Sequence, residues 1–189
     1  MTGEPLQRAP VESGTTLLER RLVMATGDDV RGRFGELATA LPAAARIVTA
    51  AAGSARGGCL VGFATQASID PGRLLVCISI ENATFEIARN ATHLGVHVVP
   101  ADRRDLAELF GGETGDEMDK FAGRPMERGS GGEPLLTECG GRLSGRVLGR
   151  HEYGDHVGFL LEPVAVWVDG SSSPLDIRDA AGIEPGHSP

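Results

Sequence analysis

The punctuation of the apolar segments constrains this chain more than any other feature. Ile47–Ala52 ends at Gly53, and Gly57-Gly58 turns into Cys59–Phe63. Thr65–Ile69 stops at Asp70-Pro71-Gly72, and Leu74–Ile80 is an almost unbroken apolar run. Runs this short, rich in β-branched residues and bounded by Gly and Pro, read as strands. The connections are too short for parallel crossovers, so an antiparallel sheet is expected. The continuous run at Leu74–Ile80 suggests a strand covered on both faces. Leu94–Val99 is closed by Pro100, and two long candidates, Arg142–Glu152 and His156–Val168, flank the tight turn Tyr153-Gly154-Asp155.

Helices punctuate this pattern. Asp28-Asp29 open one with acidic residues at its positive end, Val30, Phe34, Leu37 and Leu41 share a face, and Pro42 stops it. Asn82 caps a short helix to about Asn90, and Asp102 caps another through Phe110, ended by Gly111-Gly112. Met118–Ala122 fits one helical turn, and Gly129–Pro134 reads as a loop. The expected fold is mainly β: a six-stranded antiparallel Greek-key barrel, closed or split, with flanking short helices. A flexible arm is expected over residues 1–26, the folded domain over 27–170 and a polar tail over 171–189.

Composition excludes several classes. A formal net charge of -8 disfavours nucleic acid, and no basic block with interleaved aromatics appears. Cys59, Cys77 and Cys139 are far apart and odd in number, so neither a disulfide framework nor a zinc ribbon is indicated. The N-terminus carries no secretory pattern and no run is long enough to span a bilayer, so a cytoplasmic protein is expected. The chain holds no GxGxxG, GxxxxGK[ST], GxSxG or HExxH. His93 and His97 are four apart on a strand, about 13 Å along it, and would not chelate one ion. No metal site is expected. Asn82-Ala83-Thr84 matches a glycosylation sequon, with no secretory context to use it.

Five segments, in order, carry a resemblance. They are Thr65-Gln66-Ala67-Ser68-Ile69-Asp70-Pro71; the apolar strand followed by Asn82-Ala83-Thr84; Gly95-Val96-His97-Val98-Val99; Asp119-Lys120-Phe121-Ala122-Gly123; and Gly154-Asp155-His156. Over about residues 28 to 170 the chain resembles the flavin reductase-like family, FMN-binding split barrels that include small components of two-component monooxygenases.

The resemblance implies roles. Thr65, Gln66, Ala67 and Ser68 match the strand beside the isoalloxazine, where edge N–H groups meet the ring; alternatively they are ordinary strand residues. Asn82 and Thr84 match the loop that meets the ribityl phosphate, a role compatible with simple capping. Lys120 either adds charge to the phosphate or holds its loop, with a solvated lysine as the plain alternative. His156 matches a histidine near the open face of the flavin, where it positions nicotinamide or supplies a proton, unless it is a structural turn residue. Departures are visible too. Leu60, Gly62 and Phe63 stand where many members carry Thr, Asn and Ser, and His97 stands where Asn is usual. The segment from Pro174 to His187 replaces a common aromatic closing strand and covers either the active site or a partner subunit.

The implied activity is NAD(P)H:flavin reduction with FMN, or alternatively FAD or deazaflavin F420, in a homodimer that serves a partner monooxygenase. The alternative class is a flavin- or F420-binding electron-transfer protein without reductase turnover.

Overall fold

Short strands joined by tight turns pair with their neighbours, and the computed structural model of this chain places them in a seven-stranded antiparallel sheet. Residues 27–112, 118–170, 173–180 and 182–183 are described. The expected arm at 1–26 and the last residues of the Pro174–His187 segment lie outside them. The chain divides into two compact units, Met1–Ala40 and Leu41–Pro189. In the first, helix α1 spans Asp28–Ala40. Gly27 enters it at φ +64, and an Arg33–Asp29 ion pair braces its first turns.

The second unit holds β1 (Arg46–Ala52), β2 (Ala55–Val61), β3 (Ala64–Ile69) and β4 (Gly72–Ser79), then α2 (Ala83–Ala88), β5 (His93–Val98) and α3 (Arg104–Gly112). The hairpin β6 (Met126–Arg128) and β7 (Pro134–Leu136) follows, then β8 (Gly141–Glu152), β9 (His156–Trp167) and a 3₁₀ turn at Ile177–Ala180. The main sheet runs β2-β1-β5-β8-β9-β4-β3, and β6-β7 pair separately.

Three expectations need correction. The sheet has seven strands rather than six: each of the seven candidate runs contributes one, with those at Cys59–Phe63 and Thr65–Ile69 falling on opposite edges. Gly57-Gly58, expected as a turn, lie inside β2 and pair with Ala50 and Thr49, so the hairpin turns at Gly53-Ser54 instead. The loop expected at Gly129–Pro134 is there, as the tip of a hairpin whose arms are three residues each, too short to display an alternating pattern. The helix expected from Asp102 begins at Arg104.

The connection between β2 and β3 dictates the sheet's shape. Seven flat strands would hold their edges about 29 Å apart. From Val61 to Ala64 the chain spans at most about 11 Å. The sheet therefore curls until its edges approach. β2 and β3 share no ladder, although the N–H of Cys77 donates to the carbonyl of Phe63 at 2.8 Å beside the seam.

The inner face buries Val48, Val61, Val76, Leu94, Phe159 and Leu161. A second cluster joins Ile47, Val99, Leu106, Phe110, Leu136 and Leu175 outside the sheet. Part of the expected tail belongs to this second cluster. Leu175 accepts from the N–H of Ala45 at 2.7 Å and donates to Val99 at 2.8 Å, while the N–H of Ile177 donates to Ala43 at 2.8 Å. Backbone bonds cover polar groups that would otherwise be stranded against apolar side chains, so this segment packs despite its polar composition. Among the described residues, no helix is long and apolar enough to cross a membrane.

Candidate functional site

A cavity of about 410 Å³ opens where the curled edges approach. The end of β2 and its exit, Cys59–Phe63, form one wall, and the end of β4, Cys77–Ser79, forms another. Asn82, Asp155, His156, the Phe110-Gly111 end of α3 and the C-terminal residues Ile177, Ala180 and Ile183 complete it.

The polar end is built around β9. Ser79 of β4 pairs with His156 in register, so the tight turn before β9 delivers the imidazole beside the end of β4. His156 Nδ1 lies 2.8 Å from Asp155 Oδ1. That hydrogen bond holds the Asp155 carboxyl below its usual range. An ionised carboxylate only accepts, so Nδ1 carries the proton and donates. The ring of Phe63 leans on His156, centroids 5.1 Å apart and planes at 58°.

A second, more open cavity of about 490 Å³ adjoins the first and shares Phe63, Cys77, Asp155 and His156 with it. Leu75 and Tyr153 line its remaining side. The Phe63–His156 pair therefore stands between two spaces.

The residues singled out from sequence fall in different places. Asn82 and His156 line the first cavity. Asn82 Oδ1 accepts from the N–H of Thr84 at 2.9 Å, which caps α2. Thr84 is buried, and its hydroxyl is bonded to the thiol of Cys59. Burial pushes that thiol up to about 11, with the Thr84 bond opposing the shift, so Cys59 behaves as a neutral wall residue. Thr65, Gln66, Ala67 and Ser68 line neither cavity. They lie on the edge strand β3, where a bulge interrupts the register between Gln66 and Ser68. Lys120 is buried, and its Nζ donates to the carbonyls of Gly58 and Phe110, each at 3.3 Å. It braces the back of the wall that Cys59 and Phe110 present to the cavity.

Sequence reasoning did not assign Phe63 or Tyr153 to a site, and it set the segment that holds Ile177, Pro174 to His187, over either the active site or a partner subunit. Leu60, Gly62 and Phe63 stood out only as departures from a polar pattern, and that signal marked the cavity wall. The two strand histidines have separate roles. His93 pairs with the Thr92 hydroxyl at 3.0 Å. His97 is fully buried; its Nδ1 bonds the Ile47 carbonyl and its Nε2 accepts from the N–H of Leu136, both at 3.0 Å. Desolvation lowers its pKa to about 4, against the Ile47 bond, so it stays neutral. Among the described residues, no group of three or more His, Cys, Asp or Glu side chains is placed to hold a metal ion.

Comparison with known proteins follows the same outline. Residues 38–180 match the model of the flavin reductase like domain. The chain is 28% identical over 146 residues to an FMN reductase (NADH) RutF of Stutzerimonas stutzeri, covering 77% of this chain and 83% of that protein. It is 28% identical over 142 residues to the 4-hydroxyphenylacetate 3-monooxygenase reductase component of Klebsiella oxytoca, covering 71% and 80%. In fold it is similar to the NADH:FAD oxidoreductase SgcE6 of Streptomyces globisporus, with a TM-score of 0.71, 20% identity and coverage of 80% and 90%.

Proposed function

This chain belongs to the flavin reductase like domain family, and from that premise we propose that it is an NAD(P)H-dependent flavin reductase built on a split barrel. The observation that carries this reading is the pair of adjoining cavities that share Phe63, Cys77, Asp155 and His156. A reaction between two bound molecules needs two spaces with a common boundary. The volume of the first, about 410 Å³, is in the range of small-molecule sites, about 300–1,000 Å³. Its mix of apolar walls and few polar groups suits a flavin, FMN or FAD. The more open second space, beside Leu75 and Tyr153, suits the nicotinamide donor.

Bound flavin would supply the redox chemistry by accepting a hydride equivalent from the nicotinamide. The protein's part is to hold and orient. Asn82 and the backbone of 59–63 would hold the flavin, and the edge of β3, Thr65–Ser68, would offer further N–H groups. Thr84 sets the Asn82 turn, and Lys120 stiffens the wall behind Cys59. His156, fixed through Nδ1 by Asp155, presents Nε2 to the reacting pair. There it would orient the donor by accepting a hydrogen bond, or, with the ring doubly protonated, give its Nε2 proton to the reduced product.

Leu60, Gly62 and Phe63 bring no hydroxyl or amide side chain to the cavity. Few side-chain bonds then hold the flavin, which supports a flavin that exchanges as a substrate. Such a flavin could serve a partner oxygenase, as the name of the Klebsiella relative suggests. A homodimer is part of this reading: Phe63 and Tyr153 expose large apolar surface at the second cavity, which a second copy would cover. The folded domain is taken to run past 170 through the packed 173–180 segment.

The test is titration of the purified protein with FMN, FAD and F420, followed by NADH and NADPH oxidation assays. Micromolar binding of FMN or FAD with steady NAD(P)H oxidation is expected. Binding without turnover would replace this reading with an electron carrier, and preference for F420 would replace the flavin.

A further inference from the structure

The C-terminal segment enters the first cavity at its apolar end. Ile177 faces Gly62 so closely that a Cβ at 62 would lie 3.1 Å from Ile177 Cγ1. Ile183 approaches Gly111 in the same way, with a Cβ there 3.4 Å from Ile183 Cγ2 and 3.0 Å from Leu60 Cδ2. Two glycines thus leave room for two isoleucines, and Leu60 and Phe110 complete an apolar corner. The polar groups of the cavity, Ser79, Asn82, Asp155 and His156, cluster instead around the ends of β4 and β9. The cavity is amphipathic, with the C-terminal segment forming its apolar end.

The segment is anchored independently of these side chains. Backbone bonds join Ser173 to Ala101, Leu175 to Ala45 and Val99, and Ile177 to Ala43. The Arg104 guanidinium also donates to the carbonyl of Asp179. This wall is fixed by its main chain, while Ile177 and Ile183 supply its chemistry.

An isoalloxazine has one wholly apolar edge, the dimethylated benzenoid edge; the opposite edge carries carbonyls and ring nitrogens. Building on the flavin reading above, we propose that Ile177, with Ile183, Leu60 and Phe110, forms the subsite for the 7,8-dimethyl edge and so selects flavins over analogues with a bare or hydroxylated edge. Burying a hydroxyl there leaves it without a partner, and losing the methyls leaves the corner unfilled.

The test compares FMN with its 7,8-didemethyl and 8-hydroxy analogues, which share one tail, by quenching of flavin fluorescence. The wild-type protein is expected to bind FMN at least about tenfold more tightly than either analogue, the discrimination a hydrophobic pocket gives for small apolar groups. In Ile177→Ala the gap between FMN and the didemethyl analogue should narrow to about threefold or less, because the corner no longer grips the methyls. Ile177→Val should fall between, and it provides a milder variant should alanine impair folding. Equal binding of the three compounds by the wild type, or a gap untouched in both variants, overturns the subsite while leaving the flavin reading intact. Failure of the wild type to bind any flavin overturns both.

Discussion

The imidazole of His156 and the ring of Phe63 meet at 5.1 Å between centroids, and together they form the boundary between the two cavities. The contact joins residues far apart in the strand order of the curled sheet, one at the exit of the edge strand β2 and one at the start of the interior strand β9. Removing Phe63 merges the two spaces and frees the His156 ring from one of its supports. Phe63→Ala is expected to raise KM for the nicotinamide about tenfold, the scale of one lost aromatic contact, with a smaller change in kcat. Steady-state kinetics at saturating flavin check this, and an unchanged KM would show that Phe63 does not border the donor's space.

His97 gives the protein an acid-sensitive fold. Its native pKa is about 4, against about 6.5 for an unfolded histidine. Above pH 6.5 both states are neutral at this ring and the full stability is present. As pH falls from about 6.5 to about 4, the unfolded chain gains a proton that the native chain refuses, and stability declines by up to about 3 kcal/mol. His97→Asn keeps a donor and an acceptor between Ile47 and Leu136 but does not titrate. Its urea midpoint is expected to depend less on pH across that window than the wild type's, measured at pH 7.5, 5.5 and 4.5.

Gly95 is fixed by packing rather than by backbone conformation. A Cβ there would collide with the Thr49 hydroxyl and lie 2.9 Å from the carbonyl of Pro134. Those two groups are already joined, with the Thr49 hydroxyl donating to Pro134 at 2.6 Å. Gly95→Ala is expected to cost about 3 kcal/mol, the upper range for overpacking a tight core. Chemical denaturation measures it, and a loss below about 1 kcal/mol would mean that the β6–β7 hairpin shifts aside freely.

Lys120 separates a bracing role from a phosphate-binding one. Lys120→Met keeps the apolar stem and removes the donor that meets Gly58 and Phe110. A loss of about 2 kcal/mol in stability is expected, because buried carbonyls lose a charged partner. If bracing is its whole contribution, FMN and riboflavin weaken alike. A loss confined to FMN would instead place the ammonium at the phosphate.

Much of the architecture was determined by sequence alone. The turn residues at Gly53, Asp70-Pro71-Gly72 and Tyr153-Gly154-Asp155 located nearly every strand of the main sheet, because backbone conformation at Gly and Pro is a local property, whereas Gly57-Gly58, expected as a turn, pair within β2. The order of five short motifs pointed to the family, and the same motifs drew attention to Asn82 and His156. What only the tertiary structure decided is which residues meet across the seam. Nothing local distinguishes Thr65 on the edge strand from Leu60 on the cavity wall, since both lie in short strands a few residues apart. The sequence left Pro174 to His187 over either the active site or a partner subunit and could not set Ile177 against Gly62, because that contact depends on backbone bonds to Ala43, Ala45 and Val99, more than seventy positions away. Turn chemistry is written in adjacent residues. A cavity wall is made by the closure of a sheet, and closure brings together parts of the chain whose spacing carries no pattern.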